Sequence, residues 1–328
     1  MMAHSPLFGL AELENATQLV RAVMPATPQI AWPLLASATG AEVWVKHENH
    51  TPIGAFKIRG GITYMDWLTR SGTKVAGVIS ATRGNHGQSV AMAGRRLAMP
   101  VTIVVPHGNS PEKNAAMKGF GAELIVHGHD FDAAKEHAAQ LASERDLHFV
   151  PSFDPLLVLG VASYALELFK TVDPLDAVYA PIGMGSGICG LIATSDLLGL
   201  KTPIIGVVAE AAPAVALSFE SRRPTSTETA RTFADGLACR EPHPQAIEII
   251  RRGAERVVRV DEAAIAEAIR VYYRATHNVA EGAGAAPLAA LLKERPRMRG
   301  KRVGLILSGG NVDTDVLRTV LNGEIPDC

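Results

Sequence analysis

The stretch HTPIGAFKIRGG, His50 to Gly61, sets Lys57 directly after Phe56 in a segment with three glycines. A lysine amine becomes a nucleophile or a base only when it sheds its proton, and removal from water beside an aromatic ring favours that. Two further stretches supply sites for anions. In DAVYAPIGMGSGICGLIATSDLLGL, which begins at Asp176, an apolar run enters a glycine-rich turn, Gly183 to Gly187, and then a helix. The N–H groups of such a turn point to one place and the helix start adds partial positive charge, so a phosphate is the natural occupant. In VISATRGNHGQSVAMAGRRLA a strand ending near Ala81 passes through Thr82, Arg83 and Gly84 into a helix that begins about Asn85. Its free N–H groups make a second anion site, of a size suited to a carboxylate.

One established pattern also covers part of this set. Gly185, Gly187 and Gly190 fit G-x-G-x-x-G, and Glu210 ends a later strand at the distance of a ribose-binding acid, as in an NAD-dependent dehydrogenase. That reading leaves Lys57 and the turn from Thr82 to His86 without a role, and the motif lies past the middle of the chain.

The elements that must position these groups alternate regularly. Apolar runs AEVWVKHE, VAGVISAT, PVTIVVP, AELIVHG, LHFVPS, DAVYAPIG, TPIIGVVAE and KRVGLILSGG read as strands. Helical patterns fall between them at Asn85 to Ala98, Asp130 to Arg145, Leu156 to Lys170, Gly187 to Leu198, Asp261 to Thr276 and Gly284 to Lys293. Continuous apolar strands separated by helices predict an α/β fold with parallel sheets covered on both faces. The compact strand-helix units of the middle predict a small domain over 77–155, with 1–76 and 156–328 forming a larger one. The polar stretch Ser221 to Phe233 reads as a mobile loop.

Composition narrows the partners. The chain has 328 residues, 47% of them hydrophobic, and 32 Lys and Arg against 33 Asp and Glu, so it can bury a large core and shows no basic excess for nucleic acid. No apolar run approaches the ~20 residues of a membrane helix, and the first residues lack the pattern of a targeting segment. A cytoplasmic enzyme with a small-molecule substrate is expected. Three scattered cysteines, Cys189, Cys239 and Cys328, exclude a disulfide framework and read as buried free thiols.

Taken in order, HTPIGAFKIRGG, SATRGNHGQS, PIGMGSGICG, FADGLA, EGAGAAPLAAL and LSGGN resemble the fold type II pyridoxal-phosphate enzymes, in the branch of threonine dehydratase and serine racemase. The resemblance runs from about Thr27 to Asn311. It implies that Lys57 carries the cofactor, pyridoxal 5′-phosphate, as an imine, that Phe56 packs on its ring, and that Asn85 contacts its 3′ oxygen. It implies that Gly183, Met184, Gly185, Ser186 and Gly187 hold the phosphate and that Ser308 reaches the pyridine nitrogen. Thr82, Arg83, Gly84, Asn85 and His86 are then the loop that receives the substrate carboxylate. The family also implies a homodimer.

A serine hydroxyl can donate to an unprotonated ring nitrogen, so Ser308 implies a weaker electron sink than a carboxylate would, which suits substrates with a β leaving group. The expected reaction is β-elimination from a β-hydroxy-α-amino acid, threonine or serine by default, with phenylserine or 3-hydroxyaspartate also fitting. β-Replacement and racemisation are the alternatives within the family. Racemase-like sequences carry a serine base where this chain has Arg83, and a guanidinium is a poor base. A cation site used by some relatives has Glu210 here but Ala216 at the second acidic position, so no metal is expected. The regulatory domain of the biosynthetic threonine dehydratases is not expected after Asn311. Glu210 then reads as a salt-bridged strand end, Lys46 as a solvated or snorkelling side chain, and Glu281 as either a substrate contact or a structural hydrogen-bonding group.

Overall fold

The structure is a computed structural model that describes residues 7–172 and 174–328. Among these the strands are β1 (Gln29–Ala31), β2 (Glu42–His47), β3 (Gly77–Ala81), β4 (Val101–Val105), β5 (Glu123–Val126), β6 (Leu147–Phe149), β7 (Ala177–Pro181), β8 (Ile204–Ala209), β9 (Ala254–Val260) and β10 (Arg302–Leu307). The helices are α1 (Leu10–Arg21), α2 (Pro33–Thr39), α3 (Lys57–Arg70), α4 (Asn85–Arg96), α5 (Pro111–Gly119), α6 (Phe131–Glu144) and α7 (Pro155–Thr171) in the first half. The second half holds α8 (Ser186–Leu197), α9 (Ala214–Ser221), α10 (Pro244–Gly253), α11 (Glu262–Thr276), α12 (Gly282–Lys293), α13 (Arg295–Met298) and α14 (Thr314–Leu321). No helix among the described residues is long and apolar enough to cross a membrane.

Every apolar run read as a strand is one. Two strands were not legible: β1 is only three residues long, and β9, AERVVRV, interrupts its apolar pattern with Glu255, Arg256 and Arg259 because it is an edge strand. Helix starts follow local chemistry. Asp130, Asp154 and Asp261 accept hydrogen bonds from Ala133, Leu156 and Ala264 N–H groups and so cap α6, α7 and α11.

The strands form a six-stranded sheet, in the order β1-β2-β10-β7-β8-β9, and a four-stranded sheet, in the order β5-β4-β3-β6. All pairings are parallel except β1 with β2. Chain order reverses beside β7 in the first sheet, where β10 returns to its other side, and beside β3 in the second, where β6 does the same. Crevices open at the carboxyl ends of strands at such reversals. The two glycine turns follow β7 and β3, so topology delivers both anion sites to crevices.

Between the sheets, α3 packs on α7 at very short range. A Cβ on Gly160 would meet Arg59 O at 2.3 Å and one on Gly60 would meet Leu157 O at 2.7 Å, so only glycine fits at either crossing point. Here the reading of Lys46 fails: it is fully buried, with Nζ 2.6 Å from Glu167 Oε2 and 3.0 Å from Thr27 O. Arg59, also fully buried, spans Glu48 at 2.7 Å and Glu167 at 2.9 Å. A lysine in a strand gave no sign that carboxylates from β2's end and from α7 would converge on it. Glu210 departs as well: it is exposed at the end of β8 and makes no ion pair among the described residues. Of the cysteines, Cys189 and Cys239 are buried but Cys328 is exposed.

Burial alone raises the Glu167 carboxyl, but Arg59 and then Lys46 outweigh it and bring it from 4.5 to about 2. A depressed acid stabilises the fold fully above its ordinary range and loses that contribution as pH falls, here on the order of 3 kcal/mol between pH 4.5 and 2. Urea unfolding followed across that range should show stability falling with acid. Glu167→Gln should start several kcal/mol less stable at neutral pH and show a flatter acid dependence; an unchanged slope contradicts the assignment.

Candidate active site

The carboxyl ends of the two sheets face one cavity of about 880 Å³, open mouth included. Phe56, Lys57, the loop Thr82 to His86, the turn Gly183 to Gly187, and Ser308 all line it. Residues read separately from four distant motifs are therefore neighbours in space.

Lys57 is the first residue of α3. Phe56 N–H donates to Ser308 O at 3.0 Å, which ties the start of that helix to the end of β10. Lys57 Nζ donates to Ser186 Oγ at 3.1 Å and stands 5.1 Å from the centre of the Phe56 ring. Burial, with no carboxylate to oppose it, lowers the amine from 10.5 to about 8. The Phe56 ring is itself held edge-on by Tyr164, whose hydroxyl donates to Gly187 O at 2.9 Å. One small network thus sets the amine, the ring and the glycine turn.

The turn is shaped for close approach. Gly185 has φ +98°, the left-handed region that favours glycine, and a Cβ on Gly183 would meet Gly236 O at 2.2 Å. No acidic residue lies in the first turn of α8, so its positive end is uncancelled. A buried amine that loses its proton readily beside such a turn fits a phosphorylated carbonyl compound.

On the opposite wall, Thr82 Oγ1 accepts from Gly84 N at 2.9 Å and Gly87 N at 3.3 Å, leaving the first-turn N–H groups of Asn85 and His86 for an anion. Burial first, and then the Lys57 charge, lowers His86 from 6.5 to about 3, and its Nε2 is buried with no partner among the described residues. Asn85 is oriented from two sides. Its Oδ1 accepts from Asn311 Nδ2 at 2.8 Å and its Nδ2 donates to Glu281 Oε1 at 2.6 Å, which fixes the amide and leaves one N–H free.

The structure adds Lys113 and Asp235, which received no role from the sequence. Arg83 donates to Asp235 Oδ1 at 3.0 Å, and Lys113, buried in α5, lies 3.3 Å from Asp235 Oδ2 and 3.5 Å from Glu281 Oε2. Burial opposes the Lys113 charge, but Glu281 and Asp235 outweigh it and raise its pKa. The cavity therefore holds two lysines of opposite character, Lys57 readily neutral and Lys113 held charged. Asp235 and Asn311 stood inside FADGLA and LSGGN and could have been marked. Nothing marked Lys113, which reaches the site only because its side chain lies over Gly84, where a Cβ would meet Lys113 Cδ at 2.4 Å.

The paired parallel sheets and the cavity at their carboxyl ends define a cofactor-dependent enzyme of the α/β class. The chain belongs to the family described as pyridoxal-phosphate dependent enzymes, whose pattern matches residues 21–309. Its fold is type II, its cofactor is pyridoxal phosphate, and within the family it falls among lyases of the threonine and serine ammonia-lyase type. It is 32% identical to an L-threonine ammonia-lyase of Thermotoga maritima, over 95% of this chain and 78% of that one. Identity is also 32% to an L-threo-3-hydroxyaspartate ammonia-lyase of a Pseudomonas species, over 90% and 93%. The solved structure of the processed form of threonine deaminase isoform 2 from Solanum lycopersicum superposes with a TM-score of 0.86 at 28% identity, covering 98% of this chain and 96% of that one. The nicotinamide reading of Gly185, Gly187, Gly190 and Glu210 is thereby overturned; Glu210 stands outside the cavity lining.

If burial is what lowers Lys57, the cofactor-free protein should capture added pyridoxal phosphate at a rate that rises with pH to a plateau above about 8. Stopped-flow absorbance would follow it. A rate still climbing toward the ordinary lysine range near 10.5 contradicts a desolvated amine.

Proposed function

We propose that the chain converts a β-hydroxy-α-amino acid to a 2-oxo acid and ammonia, by loss of water and hydrolysis of the enamine that remains. The observation that carries this reading is the dry, carboxylate-free setting of Lys57, which makes its amine both the attachment point and the base for the α-proton. The turn from Gly183 to Gly187 is suited to hold the phosphate with N–H groups, and the free N–H of Asn85 to meet the 3′ oxygen. Asn85 and His86 N–H groups, with the unpartnered Arg83 Nε, suit the substrate α-carboxylate. Pyridoxal phosphate, when bound, supplies the sink for the electron pair released at Cα. Ser308, a hydroxyl rather than a carboxylate, leaves that sink weak, so prompt loss of a β leaving group is favoured over longer-lived alternatives.

Racemisation by two bases fits less well, since Arg83 stands at the sequence position where racemase-like sequences carry a serine base and is already paired with Asp235. Threonine, serine, phenylserine and 3-hydroxyaspartate all belong to the substrate class. We assign the four-stranded sheet, which lies within 77–149, to a small domain over 77–155, and the remainder, 1–76 and 156–328, to a large one.

Lys57→Ala should abolish 2-oxo acid formation while leaving the far-ultraviolet spectrum unchanged. Activity within tenfold of the parent, about 1.4 kcal/mol of barrier, contradicts the assignment. Ser308→Asp should lower elimination and raise transamination; an unaltered rate and product distribution removes the weak-sink argument.

A further inference from the structure

We propose that the cavity reads the β-substituent of its substrate with an apolar slot formed by Phe131, Met184, Ala238 and Cys239, and that the preferred substrate carries an uncharged, aryl-sized group there. This deepens the dehydratase reading and rests on it. The four residues come from separate places: the first turn of α6, the glycine turn after β7, and the segment that follows the single-turn 3-10 helix Asp235–Leu237. All four line the cavity. Cys239 Sγ lies 3.7 Å from Met184 Sδ, so two soft side chains pack together on one wall. Burial pushes the Cys239 thiol up to about 12, which leaves it a neutral apolar group.

Phe131, which also packs against the core cluster of Ile79 and Ala81, is joined to this wall by an ion pair one residue along in each segment. Arg240 Nε donates to Asp132 Oδ2 at 3.0 Å, so the α6 start is pinned to the segment that carries Ala238 and Cys239. Phe131, Met184 and Ala238 are only partly buried and keep surface toward the cavity. Ala238 and Cys239 are small side chains and take little of the cavity's volume.

A side-chain carboxylate has no comparable place. The cavity cations Arg83 and Lys113 are already met by Asp235, at 3.0 and 3.3 Å, and Lys113 also by Glu281 at 3.5 Å. A second anion there would face Asp235 as well as the guanidinium. The unpartnered Arg83 Nε serves one carboxylate, and the adjoining loop places it for the α-carboxylate.

Ammonia release by the holoenzyme should be measured with L-threo-phenylserine, L-threonine, L-serine and L-threo-3-hydroxyaspartate. The slot predicts kcat/KM for phenylserine at least tenfold above that for hydroxyaspartate, and Ala238→Leu should cut the phenylserine-to-serine ratio at least tenfold. Binding without turnover gives a separate readout. L-Phenylalanine, which has no hydroxyl to lose, should raise the Tm of the holoenzyme more than L-aspartate does, and Ala238→Leu should erase that difference. Equal or better turnover of hydroxyaspartate, or an unchanged ratio in Ala238→Leu, overturns the slot and leaves the dehydratase reading intact. Absence of ammonia from all four compounds overturns the dehydratase reading instead, and the slot then stands or falls on the phenylalanine and aspartate comparison.

Discussion

An amine that must react has to be kept dry and still be reachable, and the placement of Lys57 at the first residue of α3 meets both demands. The helix carries its Nζ to the edge of the cavity, while Ile58, Arg59, Gly60 and Gly61 behind it are buried. Arg59, two residues on, is locked between Glu48 and Glu167, and Gly60 meets α7 with no room for a side chain. The helix cannot slide or rotate without breaking buried ion pairs, which is among the most destabilising changes a core can suffer. A charge cluster outside the cavity lining thus fixes the position of the lysine to which we assign the chemistry.

Around that point the cavity separates charge by role. Asp235 and Glu281 neutralise Lys113, and Asp235 also takes Arg83, so the side of the cavity away from Lys57 is polar but balanced. Lys57 has a hydroxyl and a ring for neighbours and no carboxylate. Two lysines in one cavity, with environments that push them apart, divide into an amine that sheds its proton readily and a cation held charged. Asn85 links the two regions, because the groups that fix its amide are Glu281 at the start of α12 and Asn311 beyond β10 of the larger sheet, while Asn85 itself follows the smaller one.

Much of this was legible in the sequence because the chemistry is written in contiguous motifs. Strand-turn-helix units announce themselves through apolar runs followed by glycines, and the cavity collects Phe56, Lys57, the loop Thr82 to His86, the turn Gly183 to Gly187 and Ser308. What escaped was set by distance along the chain. Lys46 meets Glu167 across 121 residues and Lys113 meets Asp235 across 122, pairings that no local pattern encodes. The edge strands β1 and β9 escaped for a different reason: half-exposed strands need not be apolar, so their composition resembles that of loops.

The central claim is that environment, rather than mere presence in the cavity, selects Lys57 over Lys113. Borohydride reduction of the purified holoenzyme followed by peptide mass mapping tests it directly. The account predicts the reduced pyridoxyl group on the peptide containing Lys57 alone, with loss of the visible absorption band. Label on Lys113, or a band that survives reduction, would contradict it.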